Sequence, residues 1–310
     1  MSIPGEAQSG EEGGDWTAAM RAGDFARAWH ITDRDLPELC LAAPDKHAGP
    51  RHLQRIWRGE PLAGRRVLVR CYHGLGDTMQ FARFLPALSD IAAEVIVWCQ
   101  PELLPLMQAV ASGRVVPLHD GTPDVAFDVD IEIMEIPHAI RADADLVGMR
   151  QPYLRLPTTS TASSAVAKDC FAVGLMWEVG NWDKRRAVPP DQLAMLNIGG
   201  VALYSLQLGG GAAAAQIGAL DISTSDLMAL AQRICELDLV ITVDTMVAHL
   251  AGALGRPCWV MLHADCDWRW PLTGERSIWY PSLRLFHQPE PGDWSSVVIE
   301  VRAALMAARG

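Results

Sequence analysis

Val67-Leu-Val-Arg-Cys-Tyr72, followed by His73-Gly-Leu-Gly-Asp-Thr-Met79, is a short β-rich run that ends in glycines and opens a helix. The same order returns about 170 residues later, where Leu239-Val-Ile-Thr-Val243 runs into Asp244-Thr-Met-Val-Ala-His249. Behind the first junction Phe81, Phe84, Leu85 and Leu88 recur at helical spacing, and behind the second Val247, Leu250, Ala251 and Leu254 do the same. Apolar strands that feed helices in two separate halves predict two α/β units with parallel sheets. In such units ligands gather outside the carboxyl ends of the strands. The two junctions therefore predict a cleft that holds a phosphorylated ligand.

Outward from the first junction, Glu94–Cys99 reads as a second strand and Pro101–Val110 as a second helix, entered through a proline. Val115-Val-Pro117 and Val129–Ile133 continue the alternation. It restarts with strands at Phe171–Trp177, Val201–Ser205, Leu239–Val243 and Cys258–Leu262, helices at Asp226–Glu236 and Met246–Leu254, and a last helix at Trp294–Ala308. The small, polar run at 157–168 is the expected linker. Before the first strand, residues 15 to 41 have a helical pattern, and Ala19–Trp29 is like the turn and second helix of one tetratricopeptide repeat. One copy cannot bury its own faces, so it reads as a helical remnant on the next domain. Residues 1–14, rich in Gly and Glu, are expected to be disordered. The domains expected are 1–14 as tail, 15–55 as helical extension, 56–160 as the first α/β domain, and 168–310 as the second, its last helix reaching back to the first.

The chain has 310 residues, half of them hydrophobic, with a net charge of −11. That balance excludes general nucleic-acid binding, which needs a broad basic surface. No apolar run is long enough to span a bilayer, and the acidic start is unlike a secretory signal, so a cytoplasmic protein is expected. Seven cysteines without CxxC spacing predict reduced, mostly buried thiols.

At the first junction Gly74 and Gly76 allow a tight turn and close backbone approach, and the helix offers N–H groups to an anion. Asp77 repels phosphate, so it either caps the helix or acts as the base that takes a proton from an acceptor hydroxyl. A dinucleotide site fits less well, since Met79 stands where the third glycine would be and no acidic ribose partner follows the second strand. At the second junction Asp244 is a cap or a ligand contact. Thr245 and His249, four residues apart, share a helical face near a positive helix end, which suits diphosphate oxygens. Lys184-Arg185-Arg186 is the one dense basic cluster, either a solvated face or a clamp for a leaving diphosphate. His263, Asp265, Cys266 and Asp267 match no common zinc spacing, so no metal and no cofactor are expected.

Trp57–Gly64, His73–Pro86, Tyr204-Ser-Leu-Gln207, Val243–Pro257, Asp267-Trp-Arg-Trp270 and Trp279–Phe286, in this order, resemble the glycosyltransferase region of bacterial tetratricopeptide-repeat glycosyltransferases. More distantly they are similar to the ADP-heptose:lipopolysaccharide heptosyltransferases of glycosyltransferase family 9. The resemblance runs from about residue 55 to 305. It implies a GT-B architecture of two Rossmann-like domains, with the acceptor held by the first and a nucleotide-diphosphate sugar by the second. It also implies inverting, metal-independent transfer of a heptose or hexose to a carbohydrate, protein or small-molecule acceptor. Peripheral contact with the inner membrane is compatible with it.

The resemblance places the base on Asp77 and the donor diphosphate on Lys184, Arg185, Arg186, Asp244, Thr245, Met246 and His249. His73, Gly74, Gly76, Thr78, Gln80 and Gln207 complete the expected cleft. Two positions depart from the family pattern. Tyr72-His73 replaces Glu-Gln, and Leu208 replaces a Lys that follows Ser-Leu-Gln. The second departure opens an alternative, a catalytically silent nucleotide-sugar or carbohydrate-binding module.

Overall fold

The structure, a computed structural model, describes residues 12–42, 45–148, 152–156, 166–167, 170–180 and 183–309. The chain divides into two compact units, Met1–Met149 and Arg150–Gly310. Most of the tail expected to be disordered, and the linker expected at 157–168 apart from 166 and 167, lie outside the described residues. No helix among the described residues is long and apolar enough to cross a membrane.

Unit 1 opens with helices α1 (Glu12–Ala22) and α2 (Phe25–Ala42), turned at Gly23, whose φ of +72° is a left-handed angle that glycine adopts without strain. The indole N–H of Trp29 donates to the Ala142 carbonyl at 2.8 Å, and Asp33 meets His138 and Arg141 at 2.9 and 2.8 Å. These contacts tie α2 to the far end of the same unit. There follow β1 (Arg66–Arg70), α3 (Leu75–Phe81), α4 (Leu85–Ile91), β2 (Glu94–Cys99), α5 (Leu104–Gln108), β3 (Arg114–Pro117), β4 (Val129–Glu132), α6 (Ile136–Ala139) and α7 (Ala144–Val147). The four strands run parallel in the order β3-β2-β1-β4.

The single helix expected over Phe81–Leu88 is broken by a 3-10 turn at Ala82–Phe84. Pro86 has no N–H to give the preceding turn, which tightens as a result. Phe81, Phe84, Leu85 and Leu88 are nevertheless all buried, as their spacing requires.

One face of this sheet carries charge. Arg70 and Asp130, 3% and 4% exposed, pair at 2.8 Å, and Lys46 and His47 approach the same carboxylate at 3.4 and 3.1 Å. Below them Glu135 accepts backbone N–H groups from Ile56, Trp57 and Glu132 at 3.3, 2.9 and 2.9 Å. Burial pushes its carboxyl up to about 7, with Arg55 and the backbone donors only partly opposing. A folded-state value above the unfolded one favours folding with the proton on. The contribution is complete below about pH 4 and is lost as the pH rises through about 7. The full shift corresponds to ~3 kcal/mol, and the residual exposure of Glu135 lowers the expected contribution to ~2 kcal/mol. Thermal unfolding should therefore show a falling melting temperature from pH 5 to 7.5, and Glu135→Gln should flatten that slope.

Unit 2 contains β5 (Phe171–Met176), α8 (Pro190–Leu193), β6 (Val201–Ser205), α9 (Gly211–Ile217), β7 (Leu220–Asp221), α10 (Leu227–Glu236), β8 (Leu239–Val243), α11 (Met246–Ala253), β9 (Cys258–Leu262), β10 (Leu283–His287) and α12 (Trp294–Ala308). The strands are all parallel in the order β10-β9-β8-β5-β6-β7. Chain order reverses between β5 and β8, so the crevice of this sheet lies outside their carboxyl ends. α12 places Val297, Val298, Val301 and Leu305 in the same apolar core as Val173, Leu175 and Ile241. It is thus part of the body of unit 2.

Candidate functional site

In unit 2 the reversal between β5 and β8 gathers most of the donor residues expected from the sequence. Thr245 is the N-cap of α11, its hydroxyl accepting the Val247 N–H at 3.3 Å. The cap is therefore Thr245, one residue past Asp244. That hydroxyl also lies 3.1 Å from Thr242 Oγ1 and 3.8 Å from the Met176 sulfur at the end of β5. Asp244 is left to face the basic turn, where Arg186 Nη1 stands 3.3 Å from its Oδ2. Burial pushes the Asp244 carboxyl up to about 6, an effect that Arg186 opposes and Asp267 reinforces. Met246 is the first residue of α11 and is partly exposed.

Lys184–Arg186 is one 3-10 turn capped by Asp183, whose side chain accepts the Arg185 N–H at 3.1 Å. Arg185 pairs with Asp183 at 2.8 Å and Asp265 at 3.2 Å, and its hydrogen bonds hold Asp183 down at about 2. Lys184 is exposed. Arg269 pairs with Asp267 at 2.9 Å. The turn is thus not the bare positive spot expected from the sequence: Arg185 is paired with Asp183 and Asp265, Arg186 with Asp244, and the nearby Arg269 with Asp267. A diphosphate here must draw Arg185 away from two carboxylates. His263, just after β9, sits 3.9 Å from Asp183, and burial more than the nearby charges lowers its affinity for a proton. Among the described residues no group of three or more His, Cys, Asp or Glu is arranged to hold a metal ion.

His249 is buried, with Nδ1 3.0 Å from the Tyr280 hydroxyl and the Trp270 ring stacked 5.8 Å away. The segments Asp267–Trp270 and Trp279–Tyr280 therefore wall α11, which explains why they accompany its motif. Gly252 permits this, since a Cβ there would lie 2.3 Å from the Tyr280 ring. Gly252→Ala is expected to cost ~1 to 3 kcal/mol and to displace Tyr280 from His249, read by thermal unfolding and by the His249 ring resonances. Gln207 is buried and accepts the Glu178 N–H at 2.9 Å, joining the loop after β6 to the loop after β5. Leu208 beside it is 60% exposed.

In unit 1 the turn after β1 holds the acceptor candidates. Gly74 is the N-cap of α3 with ordinary extended angles, and neither it nor Gly76, inside the helix, has positive φ. The helix starts earlier than the glycines imply, so no left-handed turn is needed. Asp77 is the third helical residue and its Oδ2 accepts the Gly74 N–H at 2.9 Å. Thr78 and Gln80 are fully buried in α3, the Thr78 hydroxyl donating to Gln100 Oε1 at 3.1 Å. His73 is held by its carbonyl, which accepts from Gln100 Nε2 at 2.7 Å, and its Nδ1 lies 2.9 Å from Glu132 Oε1. Glu132 was not legible as a neighbour of His73: in sequence it is only one residue inside the strand read at Val129–Ile133. Of the seven cysteines, all free, Cys71, Cys99, Cys258 and Cys266 are buried while Cys170 and Cys235 are exposed.

No protein-family model matches the chain. A curated relative, protein FlbA of Caulobacter vibrioides, is 25% identical over an alignment covering 93% of this chain and 54% of the relative. The chain thus spans about half the length of that protein. Among solved structures, a glycosyl transferase family 9 protein from Veillonella parvula matches with a TM-score of 0.55 at 13% identity, covering 80% of this chain and 99% of that one. The ADP-heptose LPS heptosyltransferase II of E. coli matches with a TM-score of 0.56 at 14% identity, covering 79% and 100%. The iron-containing heptosyltransferase TibC of E. coli, solved with an ADP-heptose, matches at 0.55 and 12% identity, covering 81% and 78%. The α/β fold with two parallel sheets is that of the glycosyltransferase family 9 heptosyltransferases.

Proposed function

We propose that this protein moves a sugar, a heptose or hexose, from a nucleotide-diphosphate sugar to an acceptor hydroxyl, with inversion and without a metal ion. The observation that carries this reading is the strand reversal of unit 2. In a heptosyltransferase fold it sets Arg186, Asp244, Thr245 and the start of α11 at the carboxyl ends of β5 and β8. The N–H groups of α11 and the Arg186 guanidinium would then stabilise the departing diphosphate. Asp77 is the carboxylate proposed to drive removal of the acceptor proton. The setting proposed is the cytoplasm, with the two units serving one reaction in the GT-B manner.

Titration calorimetry against ADP-, UDP-, GDP- and dTDP-sugars, followed by an assay of nucleotide release, tests the proposal. Micromolar binding of one donor and its turnover in chelator support it, and turnover that appears only after iron loading refutes the metal-free part. A second reading, a binding module without turnover, is favoured by exposed Leu208 and by the matched charges around Lys184–Arg186. Donor binding with no nucleotide release over a broad acceptor panel would establish it.

A further inference from the structure

The outer βαβ unit of the second sheet has a glycine turn and a carboxylate that the diphosphate residues leave unused. β6 ends at Ser205, the chain turns through Gln207-Leu-Gly-Gly-Gly211 into α9, and α9 returns to β7, which ends at Asp221. β6 and β7 are parallel with Ser205 opposite Asp221, so Asp221 stands at the carboxyl end of the sheet beside the glycine turn. Its Oδ1 accepts the Ser223 N–H at 2.9 Å, which fixes the carboxylate. Its Oδ2 lies 3.3 Å from the place a Cβ on Gly211 would take, and it has no hydrogen bond among the described residues. The turn is packed on one side and open on the other. A Cβ on Gly210 would lie 2.7 Å from Gln207 and 3.0 Å from Trp177, whereas one on Gly209, at φ +76°, would have nothing within 4 Å. Such glycines let a ligand approach the backbone closely. Leu208, 60% exposed, adds an apolar surface to the same turn.

Strand spacing decides what can reach Asp221. From β8, where α11 would hold the diphosphate, to β7 there are three spacings through β5 and β6, about 14 Å in all. A nucleoside attached to that diphosphate covers such a distance. On the β9 side the loop after that strand already meets the basic turn, Asp265 pairing with Arg185 at 3.2 Å, so the nucleoside is left to run toward β6 and β7. We infer that Asp221 accepts a hydrogen bond from the ribose 2′-hydroxyl of the donor and thereby restricts the site to ribonucleoside diphosphates. The inference rests on the donor-binding part of the proposed function and applies whether or not the sugar is transferred. An ionised carboxylate only accepts, so it takes a hydroxyl proton and turns phosphate away, and a 2′-deoxy nucleotide offers it nothing. An acid at a strand end near a glycine turn holds ribose in this way in dinucleotide-binding units.

Calorimetry of the full chain with ADP, GDP and UDP, each beside its 2′-deoxy form, tests the inference. For the nucleotide that binds, the ribo form is expected to bind ~10-fold or more tightly than the 2′-deoxy form. Asp221→Ala should bring that ratio to within about two-fold by weakening the ribo form alone. Gly211→Ala, which crowds Oδ2 from a helical position that alanine favours, should narrow it as well. Equal binding of the two forms by wild type, or a ratio that survives Asp221→Ala because both forms weaken together, overturns the inference and leaves the transferase reading in place. If no nucleotide binds, the donor site itself is refuted and the inference falls with it.

Discussion

Asp77→Asn is expected to reduce sugar transfer by ~10³-fold while donor affinity stays within about two-fold of wild type. The substitution is informative because of what it preserves. An amide oxygen can still accept the Gly74 N–H that Asp77 Oδ2 now takes at 2.9 Å, so the start of α3 should keep its shape while the negative charge is lost. Donor binding is proposed for unit 2 and so provides the control. Nucleotide release in the presence of acceptor, set beside donor affinity from calorimetry, separates the two effects. Release at the wild-type rate would remove Asp77 from the chemistry and leave it as a local support of the helix.

The second large effect concerns stability. Asp130→Ala is expected to destabilise unit 1 by ~3 to 5 kcal/mol, since it strands the Arg70 guanidinium, 3% exposed, without its carboxylate. The approach of Lys46 to the same carboxylate adds repulsion once Asp130 is gone. Replacing both members, as in Arg70→Met with Asp130→Leu, should cost far less, because no charge is then left buried. Urea unfolding of wild type, Arg70→Met, Asp130→Leu and the double variant measures the coupling. A single variant as stable as the double would mean that water already reaches the pair.

Strands were legible where they are continuous apolar runs covered on both faces: Glu94–Cys99, Val201–Ser205, Leu239–Val243 and Cys258–Leu262 are read to the residue. β10 was not, because Leu283-Arg-Leu-Phe-His287 is an edge strand in which Arg284 breaks the apolar run. β7 has two residues and exposed side chains, too little for any pattern. The helices around Pro86 and Pro105 were placed correctly but not their 3-10 interruptions, since periodicity registers the buried stripe and is blind to a missing N–H.

In the site, the residues beside strand ends were legible because topology puts strand ends together. Their partners were not. Nothing in the order of residues 183 to 186 shows that Asp183 and Asp265 occupy Arg185, or that Glu132 reaches His73 across 59 positions. Such pairings depend on which strands become neighbours, and sheet order is a property of the whole unit.

The neighbours β5 and β8 are joined in register from Val173 with Leu239 to Met176 with Thr242, with two further strands and three helices of chain between them. No half of unit 2 contains both sides of the crevice. Ligand binding there accordingly senses the unit as a whole: a nucleotide held at 100 times its dissociation constant would add ~2.7 kcal/mol to the folding of the entire sheet. Protection from proteolysis by a nucleotide should extend evenly from β5 to α12, which makes resistance to cleavage far from the crevice a direct gauge of occupancy.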